Sequence, residues 1–95
     1  MTTDNKNAFQ LEIVLPETPL PPRSVVSIDV PAADGRLTVM ANHQPLIAAL
    51  KSGSVIIKDE NHKTETWHTS AGALQVERNR VTLLVREFET NENNQ

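Results

Sequence analysis

The chain has 95 residues, no cysteine and a formal net charge of −3 at pH 7. This length supports one small domain, and the lack of cysteine excludes disulfides and thiolate metal sites. The acidic balance argues against a nucleic-acid binder, which normally carries a basic stripe. The longest apolar run, Leu46–Leu50, is far shorter than the roughly 18 residues of a membrane-spanning helix.

The two ends of the chain are polar and show no hydrophobic periodicity. We therefore expect residues 1–8 and 90–95 to be flexible tails and residues 9–89 to form the single domain. The N-terminus lacks the apolar segment of a secretory signal. These features predict a soluble, cytoplasmic domain.

The first half of the domain is expected to form short strands separated by turns. Apolar residues alternate with polar ones in Phe9–Leu15, in Val26–Val30 and in Leu37–Val39. This period of two is the pattern of half-buried strands. Four prolines in Pro16–Pro22 exclude a helix or a central strand there. Asp34-Gly35 predicts a hairpin turn between the second and third strands.

In the second half, Pro45–Leu50 is the one segment that could form a helical turn, although a short one. Three alternating runs follow it: Val55–Ile57, Leu74–Val76 and Val81–Val85. Turns are predicted at Ser52-Gly53, Glu60-Asn61 and Arg78-Asn79. Short strands at spacings near about ten residues predict an all-β, antiparallel sandwich or barrel.

Three apolar residues interrupt the alternation and would point outward if their neighbours point inward: Val14, Ile56 and Leu84. On neighbouring strands they would form an exposed patch, and such patches often mark partner surfaces. Burial between two sheets would also explain them, because alternation blurs there. Both explanations remain open at this point.

The titratable residues match no catalytic or metal-binding pattern. His43, His62 and His68 lack the close pairing that a zinc site requires. No serine has the turn and base of a nucleophile, and three glycines are too few for a phosphate-binding loop. We predict no catalytic, cofactor-binding or metal-binding residue, and no enzymatic activity for this chain alone. His68 is expected to face solvent beside an inward Trp67.

Two polar residues have both a structural and a functional interpretation. His43 could fix its loop by hydrogen bonds to backbone carbonyls, or the loop could face a partner. Arg36, just after Gly35, could simply solubilise a hairpin tip or could steer a partner toward it.

Several segments, taken together, resemble the epsilon subunit of F-type ATP synthases. They cover roughly residues 9–89 and follow the family's order: Leu11–Val14 with Pro16-Glu17, Val25–Val30, Asp34–Val39, Asn42–Ile47, Leu50–Gly53, Ser70–Val76 and Asn79–Leu84. The resemblance implies a small antiparallel β-sandwich of about 8 to 10 strands, since the family domain has about ten. It also implies a non-catalytic rotor subunit that links the gamma subunit to the c-ring and couples ion flow to ATP synthesis.

The resemblance implies contacts as well. Arg36, Asn42 and His43 would lie in loops facing the c-ring, and we infer that Val14, Ile56 and Leu84 face gamma. No cofactor is expected. The location would be the cytoplasmic side of a bacterial inner membrane, reached only through the c-ring, and the transported ion would be a proton or sodium.

The chain departs from the family pattern in three ways. It stops at Gln95, so we expect the C-terminal helical pair, with its inhibitory and ATP-sensing roles, to be absent. Arg36 replaces an acidic residue of the family. Because an arginine would repel a basic ring loop, we expect the ring loop to be altered or contacted differently. Asn42 and Ala71 replace glycines, and alanine tolerates positive φ poorly.

These departures suggest a divergent member that serves a second, atypical ATPase. The alternative to the rotor role is a free-standing β-sandwich that binds a small ligand. Such a protein would be expected to have clustered aromatics or a conspicuous polar pocket. With one Trp and no Tyr, the chain offers little for this purpose.

Overall fold

A computed structural model of the chain describes residues 7–17 and 20–90. The predicted tails were residues 1–8 and 90–95; of these, residues 1–6 and 91–95 lie outside the described ranges. Nine strands occur within them: β1 Phe9–Val14, β2 Arg23–Ala32, β3 Gly35–Met40, β4 Leu46–Leu50, β5 Gly53–Asp59, β6 Thr64–Thr69, β7 Gly72–Glu77, β8 Arg80–Val85 and β9 Phe88–Thr90. The all-β prediction is confirmed.

The strands form because apolar residues alternate with polar ones, so that one face of each strand is buried. β1 shows this directly, since Phe9, Leu11 and Ile13 are buried and the residues between them are not. The prediction that Pro45–Leu50 could form a helical turn is wrong, because Leu46–Leu50 is strand β4. A five-residue segment is too short to form a stable helix, and backbone pairing with β7 satisfies its hydrogen-bonding groups.

One continuous sheet folds into two layers. One layer contains β1, β8, β7 and β4 in that order, and the other contains β3, β2, β5, β6 and β9. The long strand β2 joins the layers, pairing with β1 near its start and with β4 at Ala32. All pairs are antiparallel except β1 with β8. Every described strand has at least one partner, and each of the two layers presents an outer face.

The core between the layers is mainly aliphatic, as the composition requires. Trp67 is its largest side chain and is 1% exposed. The prediction that Trp67 points inward and His68 faces solvent is confirmed, because Trp67 is buried and His68 is exposed. The buried apolar residues are Phe9, Leu11, Ile13, Val25, Ile28, Val30, Val39, Leu50, Val55, Ile57, Trp67, Leu74, Val76, Val81, Leu83 and Val85.

The strand register sorts the turns to two opposite ends of the sandwich. Four turns lie together at one end, which we call the Asp34 end. The strand pairing shows this, because each of the following residue pairs is opposed: Ala32–Gly35, Ala32–Leu50, Leu50–Gly72 and Gly72–Val85. Its turns are residues 33–34, 51–52, 70–71 and 86–87. The other end, called the His43 end, contains the connections at residues 41–45, 60–63 and 78–79.

Backbone geometry explains two of the departures from the family's glycines. Asn42 has φ 67°, in the left-handed region that Asn tolerates. Ala71 is not among the described residues with positive φ, so its backbone conformation is one that alanine adopts readily. The neighbouring Gly72 is the constrained position, because a Cβ there would clash with the carbonyl oxygen of Leu84. Only glycine allows β7 to approach β8 so closely at that point.

Candidate interaction surfaces

The described residues contain no cluster of three or more side chains that could hold a metal ion. No helix within residues 7–17 and 20–90 has the length and apolarity to cross a bilayer. The sites expected from the sequence are three surfaces: one hairpin tip, one loop and one outer sheet face.

The β2–β3 hairpin tip carries Arg36, which does not extend freely into solvent. Its Nε donates to Asp29 Oδ1 at 2.7 Å, and its NH2 group donates to the Asp29 carbonyl oxygen at 3.3 Å. Thr38 Oγ1 donates to the other carboxylate oxygen, Oδ2, at 2.8 Å. The turn residues are Ala33 and Asp34, one position earlier than predicted, and Gly35 begins β3 with φ 129°. This register places Thr38 directly opposite Asp29 and Arg36 diagonally across from it.

Asn42 and His43 lie at the His43 end, away from Arg36. Four residue steps of β3 separate Arg36 from Met40, which is about 13 Å of extended chain, and Asn42 lies in the turn beyond Met40. The backbone N–H of His43 donates to the Met40 carbonyl at 3.2 Å. His43 Nδ1 lies 2.8 Å from the carbonyl oxygen of its neighbour Gln44. The structure therefore shows His43 hydrogen-bonded to backbone, and it does not bring the three predicted ring-facing residues together.

Val14 and Leu84 do meet, because they are directly opposed residues on the parallel pair β1–β8. Val14 is half-buried, and Leu84 is 38% exposed. Ile56 does not join them. Its neighbours Val55 and Ile57 are buried in the core, so Ile56 faces outward from the other layer, opposite Asp29 and Thr66. Of the two explanations left open by the sequence, a single patch of all three residues on neighbouring strands does not occur.

The sequence reasoning missed the most exposed apolar residue on the Val14–Leu84 face. Ile47 of β4 is 76% exposed, and it lies opposite Gln75 of β7. Between it and Leu84 lie Ala49 and Ala73, which are opposed residues on β4 and β7. We use the name apolar face for five residues of this layer: Val14, Ile47, Ala49, Ala73 and Leu84. Treating residues 46–50 as a strand would have revealed Ile47, because Leu50 is inward and Ile47 has the opposite parity.

Beside the core, a polar cluster anchors Trp67. Arg23 donates two hydrogen bonds to the Glu65 carboxylate, at 3.1 and 3.0 Å, and Trp67 Nε1 donates to Glu65 Oε1 at 3.2 Å. The Arg23 guanidinium also lies 5.8 Å from the Trp67 ring centre. The hydrogen bonds from Arg23 lower the pKa of Glu65. The cluster has a structural role, because Arg23 and Trp67 both donate their hydrogen bonds to Glu65.

A cleft of about 760 Å³ opens at the Asp34 end, between the residues that follow β1 and the β8–β9 turn. Its walls include His68, Ser70 and Arg86. The Ser70 hydroxyl already accepts hydrogen bonds from the backbone N–H groups of Arg86 and Glu87, at 3.0 and 3.2 Å. Ser70 therefore serves to hold the turn, although the cleft is where a small ligand would be sought.

Sequence comparison places these features in a family. The family model described as "ATP synthase, Delta/Epsilon chain, beta-sandwich domain" matches residues 8–91. The ATP synthase epsilon chain of Bartonella henselae is 46% identical over 57 residues, covering 60% of this chain and 41% of that protein. The Rhizobium meliloti epsilon chain is 36% identical over 77 residues, covering 81% and 58%. The chain thus spans about half the length of these curated relatives.

The Chlorobium limicola epsilon chain is 34% identical over 80 residues, covering 84% of this chain and 91% of that protein. Among solved structures, a chain of the Euglena gracilis mitochondrial ATP synthase (OSCP/F1/c-ring) superposes with a TM-score of 0.84 at 19% identity, covering 95% of this chain and 59% of that one. A chain of the Tetrahymena thermophila mitochondrial ATP synthase central stalk and c-ring gives 0.71 at 14% identity, covering 92% and 68%. These structures share the β-sandwich fold.

Proposed function

The chain belongs to the family of ATP synthase delta/epsilon β-sandwich domains, and from this membership we propose that it is a non-catalytic central-stalk subunit of an F-type, proton- or sodium-translocating ATP synthase. The observation that carries the proposal is the family match over residues 8–91, together with relatives named as epsilon chains. Its partners would be the gamma subunit and the c-ring. It would then lie on the cytoplasmic side of a bacterial inner membrane, associated with it only through the c-ring.

The apolar face is the surface we assign to gamma. Burial of an exposed apolar side chain by a partner contributes roughly 25 cal/mol per Å² of covered area, and Ile47 and Leu84 are among the most exposed large apolar side chains of the described chain. Val14 and Leu84 keep the role expected from sequence, whereas Ile56 is on the opposite outer face and is replaced by Ile47. Asn42 and His43 lie in the connection that leads into β4, so we assign them to the border of this face.

The Asp34 end is the surface we assign to the c-ring, through the hairpin tip that carries Arg36. A rigid adaptor suits a rotor because it transmits motion without deforming. The paired strands and the core between the two layers supply that rigidity. Coupling of ion flow to ATP synthesis would follow from the subunit being fixed to both partners at once.

Co-expression with the gamma subunit and c-ring of the same genome tests the proposal. Pull-down followed by native mass spectrometry should give a one-to-one complex with gamma. Absence of any complex at low and moderate salt would contradict the rotor role and favour a ligand-binding β-sandwich.

A matched pair of substitutions tests which face binds gamma. Ile47→Thr should weaken gamma binding about ten-fold, because it removes apolar area from the proposed contact while keeping a β-branched residue in the strand. Ile56→Thr makes the same chemical change on the opposite face and should leave the affinity unchanged. Titration calorimetry measures both. The reverse ranking would move the gamma contact to the Ile56 face.

A further inference from the structure

The wall of the cleft at the Asp34 end contains a hydroxyl group without a partner. Within residues 7–17 and 20–90, Thr69 is the one buried polar residue, and it is 6% exposed. Its Oγ1 atom makes no hydrogen bond in this part of the chain. Thr69 also lines the cleft of about 760 Å³. Because a buried hydroxyl without a hydrogen bond is unfavourable, a polar group that enters the cleft and reaches Oγ1 would stabilise it.

The strand register explains why this hydroxyl has no partner from the fold itself. Thr69 ends β6 and has the same parity as Trp67, so it points inward. It lies opposite Gly53 of β5 and Phe88 of β9. Glycine has no side chain and phenylalanine offers only an apolar ring. The hydroxyl of the next residue, Ser70, is committed to the backbone of the β8–β9 turn.

The charged side chains along the cleft are mostly acidic. They comprise three carboxylates, Glu17, Glu87 and Glu89, and one guanidinium, Arg86. Counting each carboxylate as −1, Arg86 as +1 and histidine as neutral, the lining has a net charge of −2. All four residues are exposed, and none of their side chains makes a hydrogen bond or ion pair with another described residue. The carboxylates are therefore available to a ligand.

We propose that this cleft binds a small organic cation with a primary ammonium group, and that Thr69 Oγ1 accepts a hydrogen bond from that group. An ammonium group has three N–H donors and no acceptor, so a hydroxyl oxygen and carboxylates both suit it. The net charge of the lining disfavours an anion. The described residues contain no set of three acidic, histidine or cysteine side chains placed to hold a metal ion. The cleft has the volume of a small-molecule site, which is about 300 to 1,000 Å³.

This inference does not depend on the rotor role, because it concerns a site that the isolated chain contains by itself. Titration calorimetry of the full chain with putrescine at low ionic strength tests it. The unaltered chain should bind putrescine and should not bind the neutral diol of the same length. Glu87→Gln and Glu89→Gln should each weaken binding by about two- to five-fold, since each removes one surface charge. Arg86→Gln should tighten binding by a similar factor, because it removes the one guanidinium of the lining.

Thr69→Val separates the hydroxyl from the surrounding charges. Valine is also β-branched and has nearly the same shape, so the variant is expected to fold. A methyl group in place of an unpartnered buried hydroxyl should raise the midpoint of thermal unfolding of the free chain. The same change should weaken putrescine binding about five-fold, and Thr69→Ser, which keeps the hydroxyl, should bind as the unaltered chain does. A threonine with a purely structural role would not give these opposite effects on stability and affinity.

Glu77→Gln is the matched control for the charge changes, because Glu77 lies at the end of β7 near the His43 end. It should leave the affinity for putrescine unchanged. Equal effects of Glu77→Gln and Glu87→Gln would show that putrescine is attracted by the acidic protein as a whole, and would overturn the inference. Unchanged affinity or a lower unfolding midpoint in Thr69→Val would overturn it too. So would equal binding of the diol, or no binding of putrescine by the unaltered chain.

Discussion

At the scale of single residues, several polar side chains of this protein hold the backbone or each other in place. Ser70 holds the β8–β9 turn through two backbone N–H groups, and Asp59 accepts hydrogen bonds from the backbone N–H groups of Asn61 and Lys63 in the β5–β6 connection. Glu65 receives hydrogen bonds from Arg23 and Trp67. These contacts stabilise the turns and strands of the fold.

The Arg23–Glu65 pair makes stability depend on pH. The pKa of Glu65 is lowered in the folded state by the hydrogen bonds from Arg23. The stabilisation is therefore present above the unfolded-state pKa of about 4.3 and is lost as pH falls through the lower folded-state pKa. We expect Glu65→Gln to reduce the free energy of unfolding at pH 7 by less than about 1 kcal/mol, because the pair is partly exposed and screened. The difference should shrink below pH 4 or so.

Urea unfolding followed by circular dichroism at several pH values measures this difference. Glu12→Gln is the control, since Glu12 makes no side-chain hydrogen bond or ion pair in the described structure. A Glu65→Gln effect that is the same at acidic and neutral pH would contradict an electrostatic origin.

At the scale of elements, register decides which residues meet. The turn at Ala33-Asp34 pairs Asp29 with Thr38, whereas the turn predicted one position later would have paired Asp29 with Met40. The same argument holds for β4, whose strand conformation exposes Ile47 and buries Leu50. A shift of one position in a turn or strand thus changes which charge is neutralised and which apolar residue faces a partner.

The β7–β8 pair depends on Gly72 in the same way. Gly72→Ala places a Cβ against the Leu84 carbonyl oxygen, a backbone atom of a paired strand that cannot move aside easily. We expect a loss of about 1 to 3 kcal/mol in the free energy of unfolding. Trp67 fluorescence in a urea titration measures it, because this Trp is the only one in the chain and is buried.

Gly53→Ala is the matched control for Gly72→Ala. Its Cβ would lie 3.2 Å from Pro31 Cγ, a side-chain atom that can shift by a few tenths of an ångström. The loss of stability should be clearly smaller than for Gly72→Ala. A loss for Gly72→Ala as small as that for Gly53→Ala would show that β7 can move away from β8 at little cost.

At the scale of the whole molecule, the two layers present different outer faces. One bears the apolar face with Val14, Ile47 and Leu84, and the other has Ile56 between Asp29 and Thr66. The hairpin tip with Asp34 lies at one end of the sandwich. A rotor adaptor needs such separate surfaces, because it must hold two partners simultaneously.

A partner that binds only the folded chain must also stabilise it. We expect the midpoint of thermal unfolding to rise when purified gamma is added in excess, since the stabilisation grows with partner concentration over Kd. A library of neutral and anionic small molecules should leave the midpoint unchanged. A rise with a small molecule and none with gamma would support the ligand-binding alternative and direct attention to the cleft beside Ser70 and Arg86.

The sequence by itself determined the segments of β1, β2, β3, β5, β7 and β8, the turns at Glu60-Asn61 and Arg78-Asn79, the aliphatic core and the family. These depend on local properties: the alternation around Phe9–Ile13, the prolines of Pro16–Pro22 and the order of short motifs. The inward Trp67 and the outward His68 were predictable for the same reason, since neighbours in a strand face opposite sides.

Only the tertiary structure decided which of these residues share a surface. The sequence grouped Arg36 with Asn42 and His43, and Ile56 with Val14 and Leu84, but the first three lie at opposite ends and Ile56 faces the other way. Pairing between strands far apart in the chain sets these positions, and no local pattern records it. The neutralisation of Arg36 by Asp29 depends on hairpin register for the same physical reason, and it changes which charge the hairpin offers to a partner.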